Sequence, residues 1–371
     1  MLKKIIIIIL VFLLPVGLTT YAQKESVPDV INIQWAIEKM SNHEKYVLMG
    51  MNNKISLYYA ENTLNDYLKI TDPIYNARTP VIRVNNMVIM EYGINEQEQK
   101  IRDIEDSIRK SMESDIISVR DSLYTLYSSK LNISYYEKSV YFADINLKNT
   151  TRYFENNSGS ETAVINAKYS LESAMVTLNE AKTTYQNNQM SFNRLIGIDL
   201  TTTYKNFNLD EELLIKDTTS IKNLADKKYE SLIKEKEYQI EKENFRKKEL
   251  ESLIYFYPNN EDIPNEIEKI NENIIKINNE IEKMEFYQRR TYNEKAQSMI
   301  NIFDSIQDIQ ENITDLNNDY NKLYNQYRAG DVGYVSVEQK ALDIEKAKNN
   351  LKLAIFNFNT RYMAYLIEME V

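Results

Sequence analysis

The sequence predicts an all-α protein: two long antiparallel coiled-coil hairpins, one in each half of an internally duplicated chain, with at most a short β-hairpin near 80–92. Three observations predict it. Seven glycines and six prolines in 371 residues are too few for a loop-rich fold. Apolar residues recur in steps of three and four over stretches far longer than an ordinary helix. Finally, Gly330 and Gly333 fall close together in YRAGDVGYV (327–335), and a second turn-like stretch at 154–163 matches it. Between Pro264 and Val371 there is no glycine or proline outside that turn, so two long helices meet only there.

Apolar residues are 43% and charged residues 27%, a balance suited to amphipathic helices that each bury one stripe. The formal charge is -10 and the pI about 5.0, with no basic stripe, which argues against a nucleic-acid partner. Zero cysteines exclude disulfides, thiolate metal sites and a lipid-modified cysteine. Met1 to Ala22 has Lys3 and Lys4, an apolar run from Ile5 to Leu14, and Thr20-Tyr21-Ala22, the pattern of a secretory signal peptide cleaved near Ala22. The run is about half the roughly 20 residues a spanning helix needs. Losing Lys3 and Lys4 takes the charge from -10 to -12.

In order along the chain, Ile33 to about Leu68 has helical spacing, with a bend expected near Gly50 and an end at Pro73 and Pro80. PVIRVNNMVIMEYG (80–93) places β-branched residues on both sides of Asn85-Asn86, the pattern of a short hairpin or loop. Each arm is shorter than the roughly 9 to 11 residues of a membrane-spanning strand. After Gly93 a seam from Ile101 through Leu147 predicts a helix reaching Phe154, roughly 90 Å long at about 1.5 Å per residue. A returning helix follows through Ala163, Ala167, Leu171, Ala174, Leu178, Ala181 and Tyr185, closed by Gly197. In the second half, a helix from about Thr219 to Tyr255 stops at Pro258 and Pro264, and an unbroken repeat from Ile267 to Leu323 leads to Gly330.

A constant offset relates the halves. It is 327 minus 154, or 173, and it carries Phe154 onto Tyr327, Asn157 onto Gly330, Leu178 onto Leu351 and Tyr185 onto Phe358 without a gap. Asn157 opposite Gly330 is physically sensible, because Asn follows Gly in tolerance of the left-handed cap that ends a helix. The expected division is a signal peptide (1–22), a first repeat (23–200) and a second repeat (201–371).

Catalytic groups do not converge anywhere. His43 is the only histidine and lies in a polar stretch. No phosphate loop, nucleophile elbow or metal-ligand spacing is present. The expectation is a non-enzyme without cofactor or metal, in which Trp35 anchors the first helix and several of the 28 tyrosines, as at Tyr185 and Tyr320, lie on the seams.

A hairpin of this length leaves apolar flanks facing water, and packing with further copies into a hollow cylinder is the simplest remedy. The stretches FENNSGSETAVINA (154–167) and YRAGDVGYV (327–335), each followed by an Ala- and Leu-rich returning helix, together with Arg194-Leu-Ile-Gly197, resemble the paired tip motifs of the TolC-type outer-membrane efflux proteins. The resemblance covers nearly all of the chain after the leader. It implies a homotrimer whose protomers each give two hairpins to an α-barrel, whose tips dock a membrane-fusion adaptor, and which works with an inner-membrane pump, ABC-type or other. The docking turns would be Asn157, Ser158, Gly159 and Ser160, and Gly330, Asp331, Val332, Gly333 and Tyr334. Tyr327 matches a tip tyrosine of the closed state.

Two departures qualify it. Strands that would close an outer-membrane β-barrel are missing, which counts against outer-membrane insertion. The family's acidic gate positions fall at Ser336 and Gln339, and their partners at Ala163 and Val332, so that gate is not carried over; Glu338, Asp331 and Asp343 are read first as solvated charges, with a substitute ring of negative charge as the alternative. The expected location is the cell envelope: outer membrane or periplasm in a two-membrane cell, otherwise extracellular or wall-associated. The alternative, a structural or adhesive coiled-coil protein of the envelope, explains the heptads but not the duplication.

Overall fold

The computed structural model describes residues 28–41, 44–74 and 77–369. The leader and His43 lie outside the described residues. Nine α-helices are described: α1 Ile33–Ser41, α2 Glu44–Tyr67, α3 Pro80–Val88, α4 Ile94–Glu155, α5 Glu161–Ile196, α6 Thr219–Ile254, α7 Asp262–Lys283, α8 Arg289–Ala329 and α9 Tyr334–Met369. Five-residue π-helical turns, Ile89–Gly93 and Met284–Gln288, join α3 to α4 and α7 to α8 into continuous rods. The fold is thus two long antiparallel hairpins, α4/α5 and α8/α9, each flanked on one side by shorter helices.

The duplication is visible in the structure. α5 and α9 each have 36 residues, and adding 173 to Glu161 and Ile196 gives Tyr334 and Met369, the two ends of α9. The cores follow the same offset. Leu123, Leu126, Phe192 and Ile196 are buried in one cluster, and Ala296, Met299, Tyr365 and Met369, each 173 further on, are buried in a second. Both clusters lie well away from the tips. A third cluster joins Val84 and Val88 of α3 to Leu250, Leu253, Ile263 and Ile270 of α6 and α7.

Three local expectations are overturned. Residues 80–92 form a helix and a π-turn, not a hairpin. Thr79 caps the helix, its Oγ1 accepting from the Ile82 N–H at 3.3 Å, and Pro80 occupies the first turn, where its missing N–H costs nothing. Val81, Val84 and Val88 are spaced for one helical face, and their packing on α6 and α7 outweighs the β-propensity of single residues. Asn86 is no turn residue; its Nδ2 donates to the Pro73 carbonyl at 2.9 Å. The long helix does follow Gly93 as expected, from Ile94 to Glu155. Gly93 itself closes the π-turn, where a Cβ would meet side-chain atoms of Ile89 and Tyr67 at 3.3 Å. Pro264 likewise lies in the first turn of α7 instead of stopping a helix, and the repeat from Ile267 to Leu323 is interrupted at Met284–Gln288.

The sequence reading also missed a parallel two-residue pairing of β1 (Val30–Ile31) with β2 (Asn206–Phe207). It ties the start of the described chain to the linker between repeats. Two asparagines pin that linker further. Asn193 donates to the carbonyls of Leu200 and Thr202 at 3.0 and 2.9 Å and accepts from the Tyr204 hydroxyl. Asn359 donates to the Glu212 carbonyl at 2.8 Å and accepts from the Leu214 N–H at 3.1 Å. Trp35, as expected, packs at this end, edge-on to Tyr204 at 6.0 Å.

Between the hairpins, α4 lies antiparallel to α9. Arg120 on α4 is buried; its Nε donates to Thr360 Oγ1 at 2.9 Å and its Nη2 to Glu211 Oε2 at 2.6 Å. The same carboxylate oxygen accepts from Asn359 at 2.9 Å, and the guanidinium lies 4.2 Å from the Phe356 ring centroid. Nearer the tips, Lys138 reaches Glu345 at 2.5 Å and Lys346 covers the Tyr135 ring at 4.2 Å.

Replacing Arg120 by Ala should cost about 3–5 kcal/mol, because it strands the partners of a buried charge. Leu123→Ala should cost about 2–5 kcal/mol by opening a cavity. Chemical denaturation of each variant checks both figures. Alkaline pH provides a further check. Burial raises the Tyr204 phenol and pushes Tyr365 up to about 12, so both favour the folded state fully below the ordinary tyrosine value near 10. Above pH 10 the unfolded chain ionises first, and stability should fall towards pH 12, with a smaller fall in Tyr365→Phe.

Candidate functional site at the hairpin tips

Because α4 and α9 run antiparallel and pair at 138 with 345 and at 120 with 360, the turn ending α4 and the turn beginning α9 lie at one end of the molecule. Both tips therefore face the same way. Their backbones are built alike. Asn157 adopts the left-handed conformation with φ 55°, and Gly330 does so with φ 86°. The Asn157 N–H bonds to the Phe154 carbonyl at 3.0 Å and the Ser158 N–H to Tyr153 at 2.8 Å; 173 residues on, Gly330 bonds to Tyr327 at 2.9 Å and Asp331 to Gln326 at 2.9 Å. This is the paired closure of orphan carbonyls that ends a helix at a left-handed residue. Ala163 N–H to the Ser160 carbonyl at 3.1 Å repeats as Ser336 to Gly333 at 3.1 Å.

The tips differ where side chains meet. Ser160 caps α5, accepting from the Ala163 N–H at 3.2 Å, whereas Gly333 has no side chain to do so. A Cβ on Gly159 would stand 3.0 Å from the Phe154 nitrogen and 3.1 Å from the Tyr153 carbonyl carbon. That glycine is needed by the chain's own turn. Around Gly330 and Gly333 a Cβ would meet nothing within 4 Å. Asn157, Ser158, Gly159, Ser160, Gly330, Asp331, Gly333 and Tyr334 are all exposed, and Val332 is half-buried.

In the second tip the structure brings Tyr327, Tyr334 and Glu338 together. The Tyr327 and Tyr334 rings are 5.6 Å apart, and a side-chain hydrogen bond to Glu338 raises the Tyr334 phenol above the ordinary tyrosine range. Tyr324 and Tyr320 extend the series, at 6.4 Å from Tyr327 to Tyr324 and 6.1 Å, stacked, from Tyr324 to Tyr320. Sequence reasoning missed this ladder, although the spacing of Tyr320, Tyr324 and Tyr327 places them on one helical face. The first tip has Leu147, Thr151 and Phe154 at the corresponding positions, so the ladder belongs to the second repeat alone. Asp331 and Asp343 are exposed and Glu338 is half-buried. Among the described residues no cluster of three metal-ligating side chains occurs.

No family model matches the chain, and no curated protein matches its sequence. Its fold does match solved structures. CusC, which forms a transmembrane channel, aligns with a TM-score of 0.52 over 91% of this chain and 91% of that one, at 9% identity. The outer-membrane channel OprN aligns at 0.51 over 91% and 89%, with 10% identity, and the outer membrane channel CmeC of Campylobacter jejuni at 0.50 over 96% and 93%, with 12% identity. The chain has the fold of the TolC-like α-helical barrel channels, with almost no strand.

The tip geometry sets a graded expectation. Gly330→Ala should destabilise by about 1 kcal/mol for its left-handed backbone, Gly333→Ala should be close to neutral, and Asn157→Gly should stabilise by about 0.5–1 kcal/mol. Thermal unfolding of the three variants checks the order.

Proposed function

We propose that the chain is the duct component of a TolC-like efflux or secretion system, passing cargo through an α-barrel of three copies without transforming it. The observation that carries this reading is an uncovered apolar stripe on α5. Ile165 (45% exposed), Tyr169 (66%), Val176 (58%) and Met190 (40%) follow at steps of four, seven and fourteen, which return to one face at about 100° per residue. The alanine seam on the opposite side of α5, including the buried Ala167, already faces α4. A lone hairpin leaves the outer stripe in water; a ring of hairpins covers it. The fold likeness to outer-membrane channels supports the same reading.

In this reading the tips dock a membrane-fusion adaptor that connects to an inner-membrane pump. Asn157, Ser158, Gly159 and Ser160 form one contact and Gly330, Asp331, Val332, Gly333 and Tyr334 the other. The open space around Gly330 and Gly333 supports close approach of a partner backbone there. Tyr327, through Tyr334 and Glu338, would narrow the tip end. The processed protein works in the cell envelope after removal of residues 1–22.

Sedimentation of the purified protein at several concentrations should show trimers, and a strictly monomeric rod would sink the proposal. Ile165→Asp combined with Val176→Asp should shift the trimer to monomer by at least about tenfold in association constant while circular dichroism stays unchanged. Gly333→Arg should abolish adaptor capture without loss of helix; undiminished capture would remove the docking role.

A further inference from the structure

The end opposite the tips carries a feature that the duct does not use. Between α6 and α7 the chain turns through Ile254, Tyr255, Phe256 and Tyr257, whose exposures are 41%, 87%, 70% and 43%. The Tyr255 and Phe256 rings meet each other edge-on at 5.6 Å. From Ser252 to Asn260 no residue is charged, in a chain where 27% are. Three backbone donors are paired within the turn: Phe256 and Tyr257 N–H groups both bond to the Leu253 carbonyl at 3.0 Å, and Asn260 N–H bonds to Tyr257 at 3.1 Å. Asn260 Oδ1 in turn accepts from Asp262 and Ile263 at 3.0 and 3.3 Å. Beneath it, Leu250 and Leu253 are buried in the cluster with α3, so the aromatic group stands on a firm base. The loop between α2 and α3 shares this end, held by the Asn86 bond to Pro73, and adds exposed Leu68 (52%) and Ile74 (63%).

We propose that this aromatic turn inserts into the headgroup and acyl boundary of a lipid surface, holding the helical end against a membrane without spanning it. Three features favour lipid over a second copy of the chain. Consecutive side chains on a convex turn project in several directions, and lipid surrounds such a knob where a facing helix covers one side. Tyrosine and phenylalanine match the boundary, with ring apolar and hydroxyl wet. The backbone donors of Phe256 and Tyr257, at the most exposed part of the turn, are paired within it and lose nothing on leaving water. The turn is flanked by Glu249, Glu251, Glu261 and Asp262 and carries no basic residue, so zwitterionic rather than anionic lipid is the expected surface. Among the described residues no helix is long and apolar enough to cross a membrane, which fits a surface attachment. The inference requires neither trimer nor adaptor and stands apart from the duct reading.

Flotation of the chain, isolated from the cell envelope, with phosphatidylcholine vesicles should show binding that high salt does not weaken. The variant combining Tyr255→Ser, Phe256→Ser and Tyr257→Ser should bind at least about tenfold less, with helical content unchanged. In a second test, Phe256→Trp places an indole on the turn that brominated phosphatidylcholine should quench, while Trp35, packed against Tyr204, is spared. Equal flotation of the triple variant, or an unquenched indole at 256, would overturn the proposal. So would a triple variant that loses self-association but keeps its lipid binding, since the turn would then serve a second copy.

Discussion

One guanidinium joins three parts of this molecule that lie far apart along the chain. Arg120 lies mid-way along the first long helix, Glu211 in the linker between repeats, and Thr360 and Asn359 near the end of the last helix. A buried arginine is tolerable only when its donors are matched and its flat face is covered, and here a carboxylate, a hydroxyl and the Phe356 ring do both. This junction is the buried polar link between the two repeats. Apolar contacts cross between the repeats as well, since Phe356 of α9 is buried in the first cluster and Val84 and Val88 of α3 pack on α6 and α7, while the region between the hairpins towards the tips is spanned by ion pairs and ring contacts such as Lys138 with Glu345.

Most of this architecture was legible in the residues. Seams in steps of three and four, the scarcity of glycine, and the offset between tips carried the long helices to within a few residues of their observed ends, because such signals repeat over many turns and reinforce one another. The failures were local. PVIRVNNMVIMEYG contains β-branched residues around a turn-like pair, yet Val81, Val84 and Val88 keep helical spacing, and burial against α6 and α7 decided between the two readings. Prolines 80 and 264 read as stops but occupy first turns, where a missing N–H is harmless. The β1/β2 pairing involves four residues and a partner 176 positions away (206 minus 30), a signal no local pattern carries. At the tips, the left-handed residues and the closing bonds were visible in Asn157 and Gly330, whereas the tyrosine ladder was not recognised although its spacing was plain.

Duplication has left the two tips with the same backbone and different surfaces. Hydrogen bonds repeat at a fixed offset, which shows how firmly a helix end dictates the turn that follows it. The side chains have diverged around that shared geometry. One turn folds over its own helix through Gly159, and the other leaves Gly330 and Gly333 clear and lines up aromatic rings behind them. A partner meeting both turns would meet two unlike surfaces, and in the proposed ring of protomers these would alternate.

The short ladder between Val30–Ile31 and Asn206–Phe207 also has a bearing on the order in which this molecule assembles. During synthesis the first strand emerges some 176 residues before its mate (206 minus 30), while the first hairpin closes entirely between its own neighbouring helices. The early hairpin is therefore free to zip up as a local event, and the leading segment must wait beside it, unpaired, until the linker arrives. Completion of the first half is thus timed by the beginning of the second.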